Sequence, residues 1–124
     1  MKGFIKITEA EWLIMKILWV DGTLTSLEII ESLKTNSTWS PTTIQTFISR
    51  LVKKGAVGVI KESKSYRYYP IVLEEQLRKE ETGNLIDKIY NGSKKLFLKS
   101  FINDVDLTEE DIQELKKMLD NKRG

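Results

Sequence analysis

The sequence predicts a mostly α-helical protein with one small β-hairpin. Helix-start signals precede hydrophobic residues with helical spacing at Thr8, Thr25 and Ser40. After Gly55 the pattern changes to β-branched and aromatic runs separated by a polar turn. From Leu73 onward the helical period returns. We therefore expect one domain over residues 1–72, with three helices and the hairpin, and a helical domain over residues 73–124.

The first helix is predicted to begin at a capping box, in which Thr8 is the N-cap and Glu11 stands three residues later. Asp21 and Gly22 are expected to end it. Its aromatic and aliphatic residues recur at helical spacing, which is typical of a core rather than of a ligand site. They are Trp12, Met15, Ile17 or Leu18, and Trp19.

A second capping box, formed by Thr25 and Glu28, predicts a second helix that ends near Thr35. Residues 36–39 then form a short polar turn, and Trp39 is placed to pack this turn onto the core. The helix is expected to bury three hydrophobic residues. They are Leu27, Ile30 and Leu33.

The third helix is the most completely specified element. Ser40 is a good N-cap, Pro41 suits the first helical position, and Gly55 supplies a left-handed stop. The spacing i, i+3, i+4, i+7 places four hydrophobic residues on one buried stripe. They are Ile44, Phe47, Ile48 and Leu51.

The opposite face of this helix carries hydroxyls, an amide and cations but no carboxylate. Cations neutralise phosphates, and short polar side chains allow close approach to a DNA groove. We interpret the element as a recognition helix, the alternative being a basic surface helix without a partner. The predicted DNA contacts are Ser40, Thr42, Thr43, Gln45, Thr46, Ser49, Arg50, Lys53 and Lys54.

The two extended runs, residues 56–61 and 66–71, predict a hairpin with a polar tip. Lys64 at the tip and Arg67 behind it could lie against a sugar–phosphate backbone, which makes the hairpin the wing of a winged helix. Its three tyrosines could equally serve only to cover the core. They are Tyr66, Tyr68 and Tyr69.

The positive charge is concentrated in the same segment. Residues 40–67 contain six lysines and arginines but a single carboxylate, Glu62, although the whole chain carries a net charge of only +2. A local basic patch of this kind is the footprint expected of a nucleic-acid site.

Composition excludes several other classes of site. Without cysteine or histidine the chain cannot form disulfides or use thiol or histidine acid–base chemistry, and a zinc site is not expected. No cluster suggests a nucleophile beside a base, so we expect neither an enzyme nor a cofactor. We see no apolar run long enough for membrane insertion and no apparent signal peptide, and a cytoplasmic location fits.

The C-terminal 52 residues predict three short helices that cannot bury their hydrophobic residues alone. A second copy of the chain is the simplest source of the missing surface, and the competing possibility is that the tail folds back on the N-terminal domain. Asn91 and Gly92 should break the first of these helices, and Thr108 should begin the last. The predicted dimerisation residues are Leu85, Ile89, Leu96, Phe97, Phe101, Ile112, Leu115, Met118 and Leu119.

Four segments carry a resemblance to a known family. The succession ITEAEW, WSPTTIQTFISRLVKKG, RYYPIV and DLTEEDIQELKKML resembles the penicillinase and methicillin-resistance repressors, which are bacterial winged-helix repressors. The resemblance covers the whole chain. Thr42 and Gln45 stand where the family often has Lys and Arg, so the operator sequence or affinity should differ. A copper-responsive branch carries cysteine pairs that this chain lacks.

The resemblance implies a homodimeric repressor that binds a palindromic operator in double-stranded DNA. It further implies release when a membrane sensor detects a β-lactam and a protease of that pathway cuts the dimerisation domain. The segment LKSFIND aligns with the cleaved region and places the bond between Ser100 and Phe101, where the family typically has Asn before the Phe. Two alternatives stay open: a winged-helix module that binds an acidic protein, and a repressor of the same fold that answers to a different inducer.

Overall fold

The computed structural model describes residues 5–124. Residues 1–4, part of the predicted first domain and of the segment searched for a signal peptide, lie outside the described residues. The chain divides into two compact units, the first ending at Glu81 and the second comprising Thr82–Gly124. The elements are α1 (Glu9–Asp21), β1 (Leu24–Thr25), α2 (Ser26–Leu33), α3 (Pro41–Lys54), β2 (Val57–Lys61), β3 (Tyr66–Pro70), α4 (Glu74–Ile89), α5 (Lys94–Asp104) and α6 (Glu109–Lys122).

The predicted fold class is confirmed, since helices dominate and a single small sheet is present among the described residues. Both capping boxes form as predicted. The Thr8 hydroxyl accepts a hydrogen bond from the Glu11 N–H at 3.2 Å, and the Glu11 carboxylate accepts one from the Thr8 N–H at 3.0 Å. The same reciprocal pair joins Thr25 and Glu28. These local contacts set where α1 and α2 begin.

The sheet has three antiparallel strands in the order β1-β3-β2. The hairpin of β2 and β3 is the predicted wing, with Val59 opposite Tyr68. Strand β1 was not predicted, and it pairs Leu24 with Tyr68 and Thr25 with Arg67. A two-residue strand is too short to show any alternation in sequence. Strand β1 pairs with the edge of β3 that β2 leaves free. Strand β3 is therefore the central strand, and the base of the wing is fixed on both sides.

The core of the first unit extends beyond the predicted domain. Leu77, near the start of α4, is 0% exposed, and the Trp19 indole donates a hydrogen bond to the Val72 carbonyl at 2.9 Å. The division between the units falls within α4, and the functional boundary after Val72 stays a prediction. The main buried side chains are Ile14, Met15, Leu18, Ile29, Leu33, Ile44, Ile48, Leu51, Val57, Tyr68 and Leu77.

One predicted core residue is wrong. Leu27 is 75% exposed, whereas Ile29 is fully buried together with Leu33. Ile29 and Leu33 are four residues apart and lie on one face of α2, and Leu27, two residues before Ile29, points away from that face. The helix is only 8 residues long, so the spacing of its hydrophobic residues in the sequence is compatible with more than one buried face.

Gly58 of β2 is expected to resist any larger residue. A Cβ at this position would lie 2.3 Å from the Tyr69 ring, which covers the strand there. Gly58→Ala should therefore displace the ring and lower the free energy of unfolding, measured in urea, by about 1 to 3 kcal/mol. In the control variant Gly83→Ala the new methyl meets no atom within 4 Å in α4, and up to about 1 kcal/mol of stabilisation is expected. Unchanged stability in Gly58→Ala would show that the Tyr69 ring does not need this space.

The second unit contains the end of α4, then α5 and α6. Asn91 and Gly92 have φ values of 53° and 80° and break the chain between α4 and α5, as predicted. A capping box at Thr108 begins α6. Within residues 82–124 only Ile86 is buried, so this unit has almost no core of its own. In the described part of the chain, no helix is both long enough and apolar enough to cross a membrane.

Candidate nucleic-acid interface

Helix α3 forms with the ends that the sequence predicts. The Ser40 hydroxyl accepts a hydrogen bond from the Thr43 N–H at 3.2 Å, and Pro41 occupies the first turn. Gly55 adopts φ 84°, a left-handed conformation that favours glycine. Both ends of the 14-residue helix are therefore fixed by local interactions.

The hydrophobic stripe of α3 determines which face is turned outward. Ile44, Ile48 and Leu51 are at most 2% exposed. Phe47 is half-buried and packs edge-to-face against Trp39, with ring centroids 5.2 Å apart. This contact holds the turn before α3 against the core, which is the packing predicted for Trp39. The helix therefore has little freedom to rotate about its axis.

The opposite side, which we call the α3 outward face, carries hydroxyls, one amide and cations without any carboxylate, as the sequence indicates. Most of its side chains are exposed, and Thr43 and Gln45 are half-buried. A cationic surface with short polar side chains has the chemistry needed to contact phosphates and base edges. The exposed members are Ser40, Thr42, Thr46, Ser49, Arg50 and Lys53.

Lys54, one of the predicted DNA contacts, has its ammonium group paired within the first unit. Its ammonium group forms an ion pair with the Glu11 carboxylate and donates a hydrogen bond to the Lys6 carbonyl at 2.7 Å. Glu11 is 0% exposed, so its charge requires a partner inside the first unit. Lys54 thus joins the end of α3 to the start of α1, and the interface proposed below omits it.

The wing places its cations at the surface. Lys64 and Arg67 are both exposed, and Arg67 is held in register opposite Thr25 of β1. Tyr68 is 8% exposed and belongs to the core, so for this tyrosine the covering role is the one the structure supports. Tyr66, in contrast, is 49% exposed and lies beneath the Lys61 ammonium, 5.8 Å from the ring centroid.

The second unit presents the predicted dimerisation residues at its surface. Phe97 is the main exception, since it is half-buried between Tyr90 and Phe101, with centroids 5.4 and 6.2 Å away. The predicted list omitted Leu98 and Ile102, which are 52% and 49% exposed and could have been identified from their spacing in α5. The other large exposed residues are Leu85, Ile89, Leu96, Phe101, Leu115, Met118 and Leu119, and Ile112 is half-buried.

The predicted cleavage site lies in the middle of α5. Ser100 is half-buried and Phe101 is 54% exposed. The Phe101 carbonyl accepts a hydrogen bond from the Val105 N–H at 3.1 Å, so the bond lies in hydrogen-bonded helix. A protease that needs an extended substrate could reach it only after local unwinding of α5.

Comparison with known proteins gives consistent matches over most of the sequence. The family described as "Penicillinase repressor" matches residues 7–121. The methicillin resistance regulatory protein MecI of Staphylococcus aureus strain N315 is 35% identical over 117 residues, which cover 94% of this chain and 95% of that protein. The penicillinase repressor of Bacillus licheniformis is 33% identical over 124 residues, with 100% and 97% coverage.

Two of the solved structures that resemble this chain are of the repressor BlaI. The solution structure of the DNA-binding domain of the repressor BlaI is 41% identical, with a TM-score of 0.55 and coverage of 61% of this chain and 93% of that one. The monomeric form of Bacillus licheniformis BlaI, solved in complex with the blaP half-operator, is also 41% identical, with a TM-score of 0.53 and the same coverage. The family match and these relatives confirm the resemblance seen in the sequence, and the chain belongs to the penicillinase repressor family.

Proposed function

We propose that this protein is a homodimeric transcriptional repressor that binds a palindromic operator in double-stranded DNA. Its targets would be β-lactam-resistance genes, and proteolysis in the second unit would inactivate it. The observation that carries the proposal is the α3 outward face, where Arg50 and Lys53 accompany five hydroxyls and an amide without any carboxylate. The solved complex of BlaI with a half-operator supports DNA as the partner of this surface.

The proposed DNA contacts come from two elements of the first unit. The N-terminal half of α3 supplies small polar groups suited to base edges, and Arg50 and Lys53 follow toward its C-terminal end, where they suit phosphates. Lys64 and Arg67 of the wing add cations beside the groove. The proposed interface is therefore Ser40, Thr42, Thr43, Gln45, Thr46, Ser49, Arg50, Lys53, Lys64 and Arg67.

Substitution of single cationic side chains by alanine tests this interface directly. Arg50→Ala and Lys53→Ala are each expected to weaken operator binding and to reduce the slope of log affinity against log salt by about 1, because each lost phosphate contact releases one counterion fewer. Neither residue is on the buried stripe, so both variants should keep the stability of the original protein. Lys16→Ala, an exposed lysine on α1, is the matched control and should leave the slope unchanged. Unaltered slopes in both α3 variants would mean that another surface binds DNA.

The homodimer is supported by the composition of the second unit's surface. Nine large hydrophobic residues between Leu85 and Leu119 are 39% to 63% exposed. So many large exposed hydrophobic residues on a unit of this size favour an interface, and each Leu- or Ile-sized side chain buried is worth about 1.5 to 3 kcal/mol. An identical copy would offer the same hydrophobic residues in return.

Proteolysis would act by dividing this surface. A cut between Ser100 and Phe101 removes the end of α5 and all of α6, which includes Leu115, Met118 and Leu119. Loss of several such side chains can exceed about 8 kcal/mol, the binding free energy of a micromolar dimer. The test is to expose cells to a β-lactam and follow the repressor's mass together with its release from DNA. An intact chain beside an active promoter would rule out cleavage as the switch.

An interaction module for an acidic protein is the competing function, since the same cations would attract carboxylates. Titration with duplex DNA at increasing salt separates the two functions. A repressor should lose affinity steeply with salt while its operator stays well above other sequences. A protein-binding module should show no preference among duplexes. A repressor of the same fold that answers to a different inducer would bind the operator but stay bound in the presence of a β-lactam.

A further inference from the structure

Gln45 lines a shallow groove on the α3 outward face. The groove is bordered by Ile30 of α2, and its remaining walls come from α3. They are Pro41, Thr42, Gln45, Thr46 and Ser49. No charged side chain is among the lining residues, so a group entering the groove would be selected by hydrogen bonding and shape rather than by charge.

Several hydroxyls near the groove already have partners within the helix. The Thr46 hydroxyl donates to the Thr42 carbonyl at 3.1 Å, and the Ser40 and Thr43 hydroxyls bond each other at 3.0 Å. A hydroxyl that donates its only hydrogen to the helix backbone cannot donate it to a base. The Gln45 amide differs, because it holds two donor hydrogens and an acceptor side by side in one plane.

Only Gln45 and Arg50 on this face have the planar, two-point geometry that distinguishes one base from another. Arg50 is five residues further along the helix, a rise of about 7.5 Å, and lies one turn before Lys53. The N-terminal residues of a recognition helix are the ones that approach base edges, whereas cations farther along suit phosphates. Their positions therefore favour base recognition by Gln45.

We infer that Gln45 sets the sequence specificity at one base pair of each operator half-site by binding an adenine. The amide nitrogen would donate to adenine N7, and the amide oxygen would accept from the N6 amino group. This inference rests on the proposed function, because it assumes that the α3 outward face enters the major groove. It goes further by naming the base and the residue that selects it.

The experiment compares full-length wild type, Gln45→Ala and Gln45→Arg on a duplex library, followed by affinities for single-base variants of the selected site. Wild type should require adenine at one position of each half-site and lose about 10-fold in affinity when that adenine becomes guanine. Gln45→Ala should lose the preference at that position alone. Gln45→Arg should prefer guanine there, since arginine pairs with guanine O6 and N7, and this gain shows that the variant is folded.

Replacement of the selected adenine by 7-deazaadenine removes only the N7 acceptor. The replacement should lower the affinity of the wild-type protein for the duplex several-fold and leave the affinity of Gln45→Ala unchanged. Lys16→Ala, which alters an exposed residue of α1 outside the proposed interface, is the control and should keep the adenine preference. The inference is overturned if Gln45→Ala retains every base preference of wild type, or if Gln45→Arg gains no affinity for guanine. Wild type that shows no sequence preference at all would overturn the proposed function as well.

Discussion

Replacement of Lys54 by methionine is expected to lower the free energy of unfolding by about 3 kcal/mol. Glu11 is 0% exposed, and the Lys54 ammonium is its charged partner. Removal of one member of a buried ion pair leaves the other charge unpaired, which costs about 3 to 5 kcal/mol. The Lys54 side chain is 31% exposed, so water can partly replace it and the lower end of that range applies. Urea unfolding measures the loss.

Lys53→Met is the matched control, because Lys53 is the adjacent residue and is exposed. Its stability should stay within about 0.5 kcal/mol of the original protein, while its affinity for DNA should fall. Glu11→Gln combined with Lys54→Met should recover most of the lost stability, since a neutral amide is far cheaper to bury than an unpaired carboxylate. Equal stability of the Lys53 and Lys54 variants would contradict the role given to this ion pair.

A fragment of residues 1–81 is expected to fold as a monomer and to bind the operator at least about 100-fold more weakly than the full-length protein. It retains the whole core of the first unit, including Leu77, but lacks the exposed hydrophobic residues of α5 and α6. Loss of the linked second half-site contact accounts for the weaker binding. Sedimentation and equilibrium DNA binding measure the two effects.

A shorter fragment of residues 1–72 provides the control for this boundary. It lacks Leu77, and removal of a fully buried leucine costs about 2 to 5 kcal/mol, so the shorter fragment should be much less stable than residues 1–81. A 1–81 fragment that sediments as a dimer, or that binds the operator as tightly as the full-length chain, would contradict the assignment of dimerisation to the second unit.

The helix boundaries could be predicted because they depend on neighbours a few residues away. Thr8 and Thr25 bond to Glu residues three positions later, and Gly55 needs only its own backbone conformation to end α3. Strand β1 could not be predicted, because its two residues become a strand only by pairing with Tyr68 and Arg67 of β3. The sequence predicts the ends of an element well where the contacts that determine those ends are between residues close together in the chain.

Two contacts of individual side chains that the sequence did not predict have the same origin. The sequence places Lys54 beside Lys53 at the end of α3, yet its ammonium is drawn to Glu11, 43 positions away in the chain. Leu77 has a helical period that suits the tail, although it completes the first unit's core. The composition of the α3 outward face was predictable because one helical period determines it. Its use for DNA contact depends on a partner outside the chain.

Footprinting of the full-length protein on the promoter of its own gene and those of its neighbours tests the central claim most directly. A dimer that presents two α3 outward faces should protect two half-sites of inverted sequence, with centres about one helical turn or a multiple of it apart. Arg50→Ala should lose protection of both half-sites together. Protection of a single isolated half-site, or the same protection at unrelated sequences, would contradict the account.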